Sequence, residues 1–171
     1  MNAPLPTLPQ TDQHHLRTAE GWLGLGDWQS ANDELEEITP QLRAHPGVLQ
    51  VRWQVYAAAR HWALAVEVAG ALTRLLPGEA EGWVHRSYAL HELKRTTEAR
   101  DALLPVLDRF PDDATMRYNL ACYECQLGNL PAARDWLERA FALDGGSQLK
   151  RQSLDDPDLE PLWTEEQQRP S

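Results

Sequence analysis

The chain has 171 residues, 42% of them hydrophobic, enough for one domain with a substantial core. Its formal net charge of −10 excludes the basic stripe of a nucleic-acid binder and disfavours docking on anionic lipid, while suiting a basic or neutral peptide partner. No apolar run is long enough to span a bilayer, no basic and apolar leader opens the chain, and two cysteines make no disulfide framework, so a cytoplasmic location is predicted.

Residues 1–11, with Pro4, Pro6 and Pro9, read as a flexible tail. From there a 34-residue period runs through the chain, giving units at 12–45, 46–79, 80–113 and 114–147. Ala31, Ala65, Ala99 and Ala133 set the phase. Leu35, Ala69, Leu103 and Leu137 follow four positions on, and Ile38, Leu72, Val106 and Ala140 seven on. Gly26, Arg60, Lys94 and Gly128 precede the alanines by five, where a turn is expected; Trp28, Trp62, Thr96 and Leu130 precede them by three. Within a unit the apolar residues recur at helical spacing, as in Leu120, Tyr123 and Leu127, then Leu130, Ala133, Leu137 and Ala140. Pro46 suits the first position of a helix, and Asp112 or Asp113 suits a cap. No stretch alternates in the manner of a strand. After Gly145–Gly146 the pattern changes. Residues 148–171 are read as a cap and tail: Ser147 opens a short helix, Asp155-Asp156-Pro157 breaks it, and Leu154, Leu159, Leu162 and Trp163 pack against the second helix of the fourth unit.

These columns resemble the tetratricopeptide repeat, a helix–turn–helix unit with the pattern W-x2-L-G-x2-Y, then A-x3-F, then P. In the third unit Trp83, Ala99, Leu103 and Pro111 occupy the W, A, F and P places; in the fourth, Leu120, Ala121, Ala133 and Leu137 fit. Pro77 and Pro111 close the second and third units. The resemblance covers residues 12–147. It implies an all-α fold, an α-α superhelix of about four helix-turn-helix repeats plus a C-terminal capping helix.

The resemblance also implies an inner surface lined by the first helix of each unit. The first unit would present Leu16, Glu20 and Leu23, and the second Gln50, Gln54, Ala57 and Ala58. The third would present Glu81, Val84, Tyr88, His91 and Glu92, and the fourth Thr115, Tyr118, Cys122, Cys125 and Gln126. Aromatic anchors among adaptable polar groups suit a peptide. The expected contact residues are Tyr88, His91, Glu92, Tyr118, Asn119, Cys122 and Gln126; the opposing reading leaves them a solvated helix face. The carboxylate clamp of chaperone-binding members is not matched. From the first unit its places hold Leu16, Glu20, Val51, Glu81 and His85; from the second, Gln50, Gln54, His85, Thr115 and Asn119.

Two arginines depart from the pattern. Arg52 and Arg86 stand where an apolar residue normally packs between the helices of a unit. Either they bond carboxylates or helix-end carbonyls within the fold, or they hold a partner's carboxylate in a forked contact. Trp53 takes a place usually held by a small residue, as in Ala19, Ser87 and Ala121, and predicts altered packing in the second unit. Cys122 and Cys125 form a C-x-x-C in mid-helix, away from the helix N-terminus that activates a redox thiol, and His91 or His85 would have to complete a zinc site that lacks a fourth ligand. His14–His15 reads as incidental. No nucleotide-binding, zinc-protease or serine-hydrolase motif occurs. The sequence therefore predicts a non-enzymatic scaffold binding a protein or peptide, without cofactor, metal, nucleic acid or membrane. The alternatives are a homodimer formed through apolar surface at a stack end and, behind it, a zinc or redox protein using Cys122 and Cys125.

Overall fold

The computed structural model describes residues 7–145 and 148–168. Residues 1–6 of the stretch read as a tail, Gly146, the Ser147 cap and the final three residues lie outside them. Among the described residues there are helices and turns and no strand. Four helix pairs follow one another: α1 (Gln10–Gly24) and α2 (Trp28–Glu37), α3 (Pro46–Ala58) and α4 (Trp62–Leu75), α5 (Ala80–Glu92) and α6 (Thr96–Leu103), α7 (Ala114–Gln126) and α8 (Leu130–Leu143). Two further helices end the chain, α9 (Gln148–Leu154) and α10 (Glu160–Gln168), with a 3-10 turn at Pro157–Leu159 between them.

The turn inside each pair has one geometry, used four times. Gly26, Arg60, Lys94 and Gly128 all adopt positive φ, at 80°, 57°, 62° and 81°. Each left-handed residue closes the preceding helix with a paired set of main-chain bonds. Gly26 N–H donates to Leu23 and Asp27 N–H to Trp22; the same pattern ends with His61 on Tyr56, Arg95 on Leu90 and Asn129 on Glu124, at 2.8 to 3.0 Å. The next residue opens the second helix, which is why Trp28, Trp62, Thr96 and Leu130 fall in phase. The alanine column lies where the helices of a pair cross: all four alanines are fully buried, as are Leu35, Ala69 and Leu103. Pro46 opens α3 as expected, and Asp113 caps α7 by accepting from Met116 N–H at 2.7 Å. The second helix of the third pair is short because Pro105 supplies no N–H for a continuing α-helix; Leu104–Arg109 runs on as a 3-10 segment.

The chain divides into two compact units, residues 1–89 and 90–171, with the boundary inside α5. In the first, Leu8, Ala31, Leu35, Ile38, Val48 and Val55 form one buried cluster. Leu8 lies within the stretch that the sequence reading gives to a flexible tail, and α1 begins at Gln10. Burial of Leu8 and the bond from Gln13 Nε2 to its carbonyl, 2.7 Å, hold this end. The buried Asp12 carboxylate takes both the N–H and the hydroxyl of Thr39, at 2.9 and 3.1 Å, fixing α1 to the end of α2.

The large Trp53 is accommodated by a small partner. It shares a buried cluster with Ala65, Ala69 and Ala89, and Ala69 stands where the other pairs carry leucine. Gly82 is buried against the end of α4; a Cβ there would lie 3.1 Å from Leu72 Cβ and 3.2 Å from Thr73 N. In the second unit the core is built from Met116, Leu120, Tyr123, Ala133, Leu137 and Ala140, closed by Leu159 and Leu162.

Candidate functional site

The cap meets the sequence expectation in part: Leu162 and Trp163 sit beside Leu137 and Phe141 of α8, which α9 also touches. Leu154 points to solvent, 65% exposed, whereas Leu159 and Leu162 are fully buried. The 3-10 turn lies along α7, the first helix of the fourth pair, and α10 touches both α7 and α8. Packing on α7 follows from the chain break at Asp156-Pro157. Pro157 ends α-helical hydrogen bonding, and Asp156 caps the tight turn by accepting from Asp158 N–H at 3.0 Å. Trp163 anchors the far side, its indole N–H donating to the Ser153 carbonyl at 2.8 Å.

This turn meets the residues that the sequence assigns to a peptide surface. Tyr118 Oη donates to Asp156 Oδ2 at 2.7 Å, and the Cys122 thiol faces the same oxygen at 3.9 Å. His91 Nε2 lies 2.9 Å from Asp158 Oδ2, and its Nδ1 lies 3.0 Å from the Thr96 hydroxyl. With Asp158 ionised, Nε2 is the donor. Gln126 Nε2 donates to the Asp158 carbonyl at 2.9 Å. His91, Tyr118, Cys122 and Cys125 are consequently buried, Tyr118 to 4% exposure. Asn119 is half-buried, and Gln126 stays at the rim. The hydrogen bond from His91 holds the Asp158 carboxyl below the usual aspartate range, against the effect of its partial burial.

The two cysteines of the C-x-x-C share this environment. Burial first, then the neighbouring Asp156 and Asp158 carboxylates, push the Cys122 thiol far above its ordinary range. Burial also raises Cys125, against a main-chain hydrogen bond involving Leu162. Nucleophilic and redox thiols need the opposite shift. Ligand atoms of Cys122, Asp156 and Asp158 do lie within 4.8 Å of one another. Their polar atoms are already engaged, by the Tyr118 hydroxyl, the thiol itself and the His91 ring.

The seat is a near-balance of terms. Two fully buried leucines contribute about 2–3 kcal/mol each, and each hydrogen bond adds about 1 kcal/mol. Ordering residues 156–162 costs about 1–2 kcal/mol per residue, towards the low end here because Pro157 and Pro161 are already restricted.

In the first unit, Tyr88 keeps 38% exposure, its ring edge-on to Trp62 at 5.7 Å and to Trp53 at 6.5 Å. Trp53 stacks flat on His85, centroids 3.6 Å apart and planes 3° apart. Burial lowers the His85 pKa. Glu92, at the end of α5, is half-buried. The two exceptional arginines have separate surroundings. Arg52 donates to Glu36 Oε1 at 2.8 Å and reaches the Leu35 carbonyl, so it ties α3 to the end of α2; that bond holds the Glu36 carboxyl below its usual range. Arg86 instead lines a cleft of about 330 Å3 with Glu67, Thr73, Arg74 and Trp83. Sequence reasoning missed Asp156 and Asp158, whose signal was the "DDPDL" break, and the buried Asp12, which carries no motif.

Helix pairs of one period, each with a left-handed residue at its inner turn and a buried alanine at its crossing, define an α-helical repeat protein. The chain belongs to the tetratricopeptide repeat family: the family's profile matches residues 54–104 and 98–147. No curated protein sequence matches it. Solved structures similar to it include MamA 41-end from Desulfovibrio magneticus RS-1, with a TM-score of 0.72 at 14% identity over 80% of this chain and 77% of that one. A MamA structure designated MSR-1 gives 0.68 at 20% identity over 80% and 79%. A crystal structure of MamA protein gives 0.69 at 15% identity over 95% and 97%. At these identities the likeness is one of fold. The family is one of protein-interaction scaffolds, and that is the class of this chain.

Proposed function

We propose that the chain is a non-enzymatic scaffold that binds a peptide or protein segment on the inner face of its first helices, through Tyr88, His91, Glu92, Tyr118, Asn119, Cys122 and Gln126. A single observation carries this reading: a short segment, Asp156–Leu159, folded as a 3-10 turn, is already held against His91, Tyr118, Cys122 and Gln126 by side-chain bonds. The exposed Tyr88 ring, backed by Trp62 and Trp53, supplies the aromatic anchor of the first unit. A cytoplasmic location belongs to the same reading. No helix among the described residues is long and apolar enough to cross a membrane.

The test is site-directed photo-crosslinking in cells of the source organism. A crosslinker at Tyr88 or Asn119 is expected to capture defined partner peptides that one on the opposite helix, at Arg139 of α8, does not. Equal capture from all three positions, or none from the first two, would sink the reading.

A further inference from the structure

Residues 156–162 are held by polar as well as apolar contacts. A lid that merely excluded water would need only apolar contact. Here donors from two helices converge on two carboxylates and one main-chain carbonyl within three consecutive residues: the Tyr118 hydroxyl and Cys122 thiol on Asp156, the His91 ring and Gln126 amide on Asp158. Leu159 and Leu162 then enter the apolar floor and are fully buried. The spacing is fixed by the turn, since Asp156 also caps it. In a chain of net charge −10, an acidic segment is repelled at long range and selected only by such a local donor array. The composition alone pointed to a basic or neutral partner; the side chains present point the other way.

We infer that the donor face formed by α7 and His91 is a receptor for acidic-apolar peptides of the form Asp-x-Asp-Leu-x-x-Leu, and that residues 156–162 occupy it as an internal ligand which a partner segment displaces. This deepens the scaffold reading above and rests on it. The tethered segment competes at a high effective concentration, so the closed chain binds a partner weakly and releases its own segment as it does so. The partner therefore carries two carboxylates two residues apart, followed at once by one leucine-sized side chain and by a second three positions later.

The experiment uses a fluorescein-labelled peptide of residues 153–164 and the full-length protein, read by anisotropy. Native protein is expected to bind it weakly. The full-length Asp156→Ala/Asp158→Ala variant, whose internal competitor is weakened, is expected to bind at least about tenfold tighter. Adding Tyr118→Phe to that variant should lose severalfold in affinity, and a peptide with both aspartates changed to asparagine should bind far less well. Should the double variant fail to fold by circular dichroism, hydrogen exchange of the native chain decides the matter: excess peptide is expected to speed exchange of the chain's own amides at 158–160 and 162–163. The inference is overturned by a folded variant that binds no peptide, by an asparagine peptide that binds equally well, or by native exchange that the peptide leaves unchanged. Partner capture at Tyr88 together with any of these failures would leave the scaffold reading standing and remove only this one.

Discussion

Tyr118 and His91 each direct a polar hydrogen at a carboxylate of their own chain, and the two carboxylates stand two residues apart. Such pairs tie docking of the C-terminal segment to pH. Asp158 has a depressed folded-state pKa, caused first by the His91 hydrogen bond and opposed by partial burial. Its contribution is therefore complete above the ordinary aspartate range and is lost as pH falls through the lower, folded value. The charged and titratable groups around it are His91, Lys94, Asp156, Tyr118 and Cys122. The NMR signal of the Trp163 indole N–H, resolved from the other six tryptophans, should therefore hold steady from neutral pH down to the aspartate range and change below it, and Asp158→Asn should remove that part of the transition. An unchanged acid transition in the asparagine variant would mean that the pair does not hold the segment.

The turns inside the helix pairs all require a left-handed residue, and two of the four use a non-glycine one. A side chain there costs about 1–2 kcal/mol, partly offset by the greater unfolded-state freedom of glycine, about 0.5–1 kcal/mol. Lys94→Gly and Arg60→Gly should each stabilise the fold by about 0.5–1 kcal/mol, and Gly26→Ala should destabilise it by about 1 kcal/mol, all read by urea denaturation. Nothing lies within 4 Å of a Cβ at Gly26, so its cost comes from φ alone. Gly82 is the opposite case. Its backbone is helical, and the obstacle is the main chain of α4 at 3.2 Å, which cannot rotate away. Gly82→Ala should cost about 1–3 kcal/mol through overpacking; a neutral result would show that α5 slides without penalty.

Across the molecule, the C-terminal segment decides which part of the repeat domain meets solvent. Cys122 and Cys125, 5% and 2% exposed, lie under it, and the carboxylates that help to raise the Cys122 thiol belong to it. Ending the chain at residue 145 should make both thiols react with a disulfide reagent at least about tenfold faster, through gained access and a lowered thiol pKa. It should also lower the stability of the unit formed by residues 90–145, because the floor beneath Leu159 and Leu162 is bared. Equal thiol reactivity in the native and shortened chains would show that the segment leaves its seat readily in the native state. Arg52 and Arg86 show how the same departure from the repeat pattern acquires two meanings. The first is consumed by Glu36 and the Leu35 carbonyl; the second opens onto a cleft beside Arg74.

The fold could be read from the chain because its determinants are local and periodic. A buried alanine where two helices cross, an apolar residue one turn further and a left-handed turn residue recur at one spacing, and neighbouring residues suffice to build each pair. Trp53 announced altered packing, and its compensation by Ala69 lies in the same columns. The inner-face places of Tyr118, Cys122 and Gln126 are what the resemblance to the repeat family implies, carried over position by position. What faces them was not legible. Asp156 meets Tyr118 across 38 residues of sequence, and Asp158 meets His91 across 67. The repeat ends before Asp156, so no periodicity relates these carboxylates to the helices they meet. Their meeting depends on where the break at Pro157 lets the chain turn, and on whether burying Leu159 and Leu162 outweighs ordering the segment that carries them.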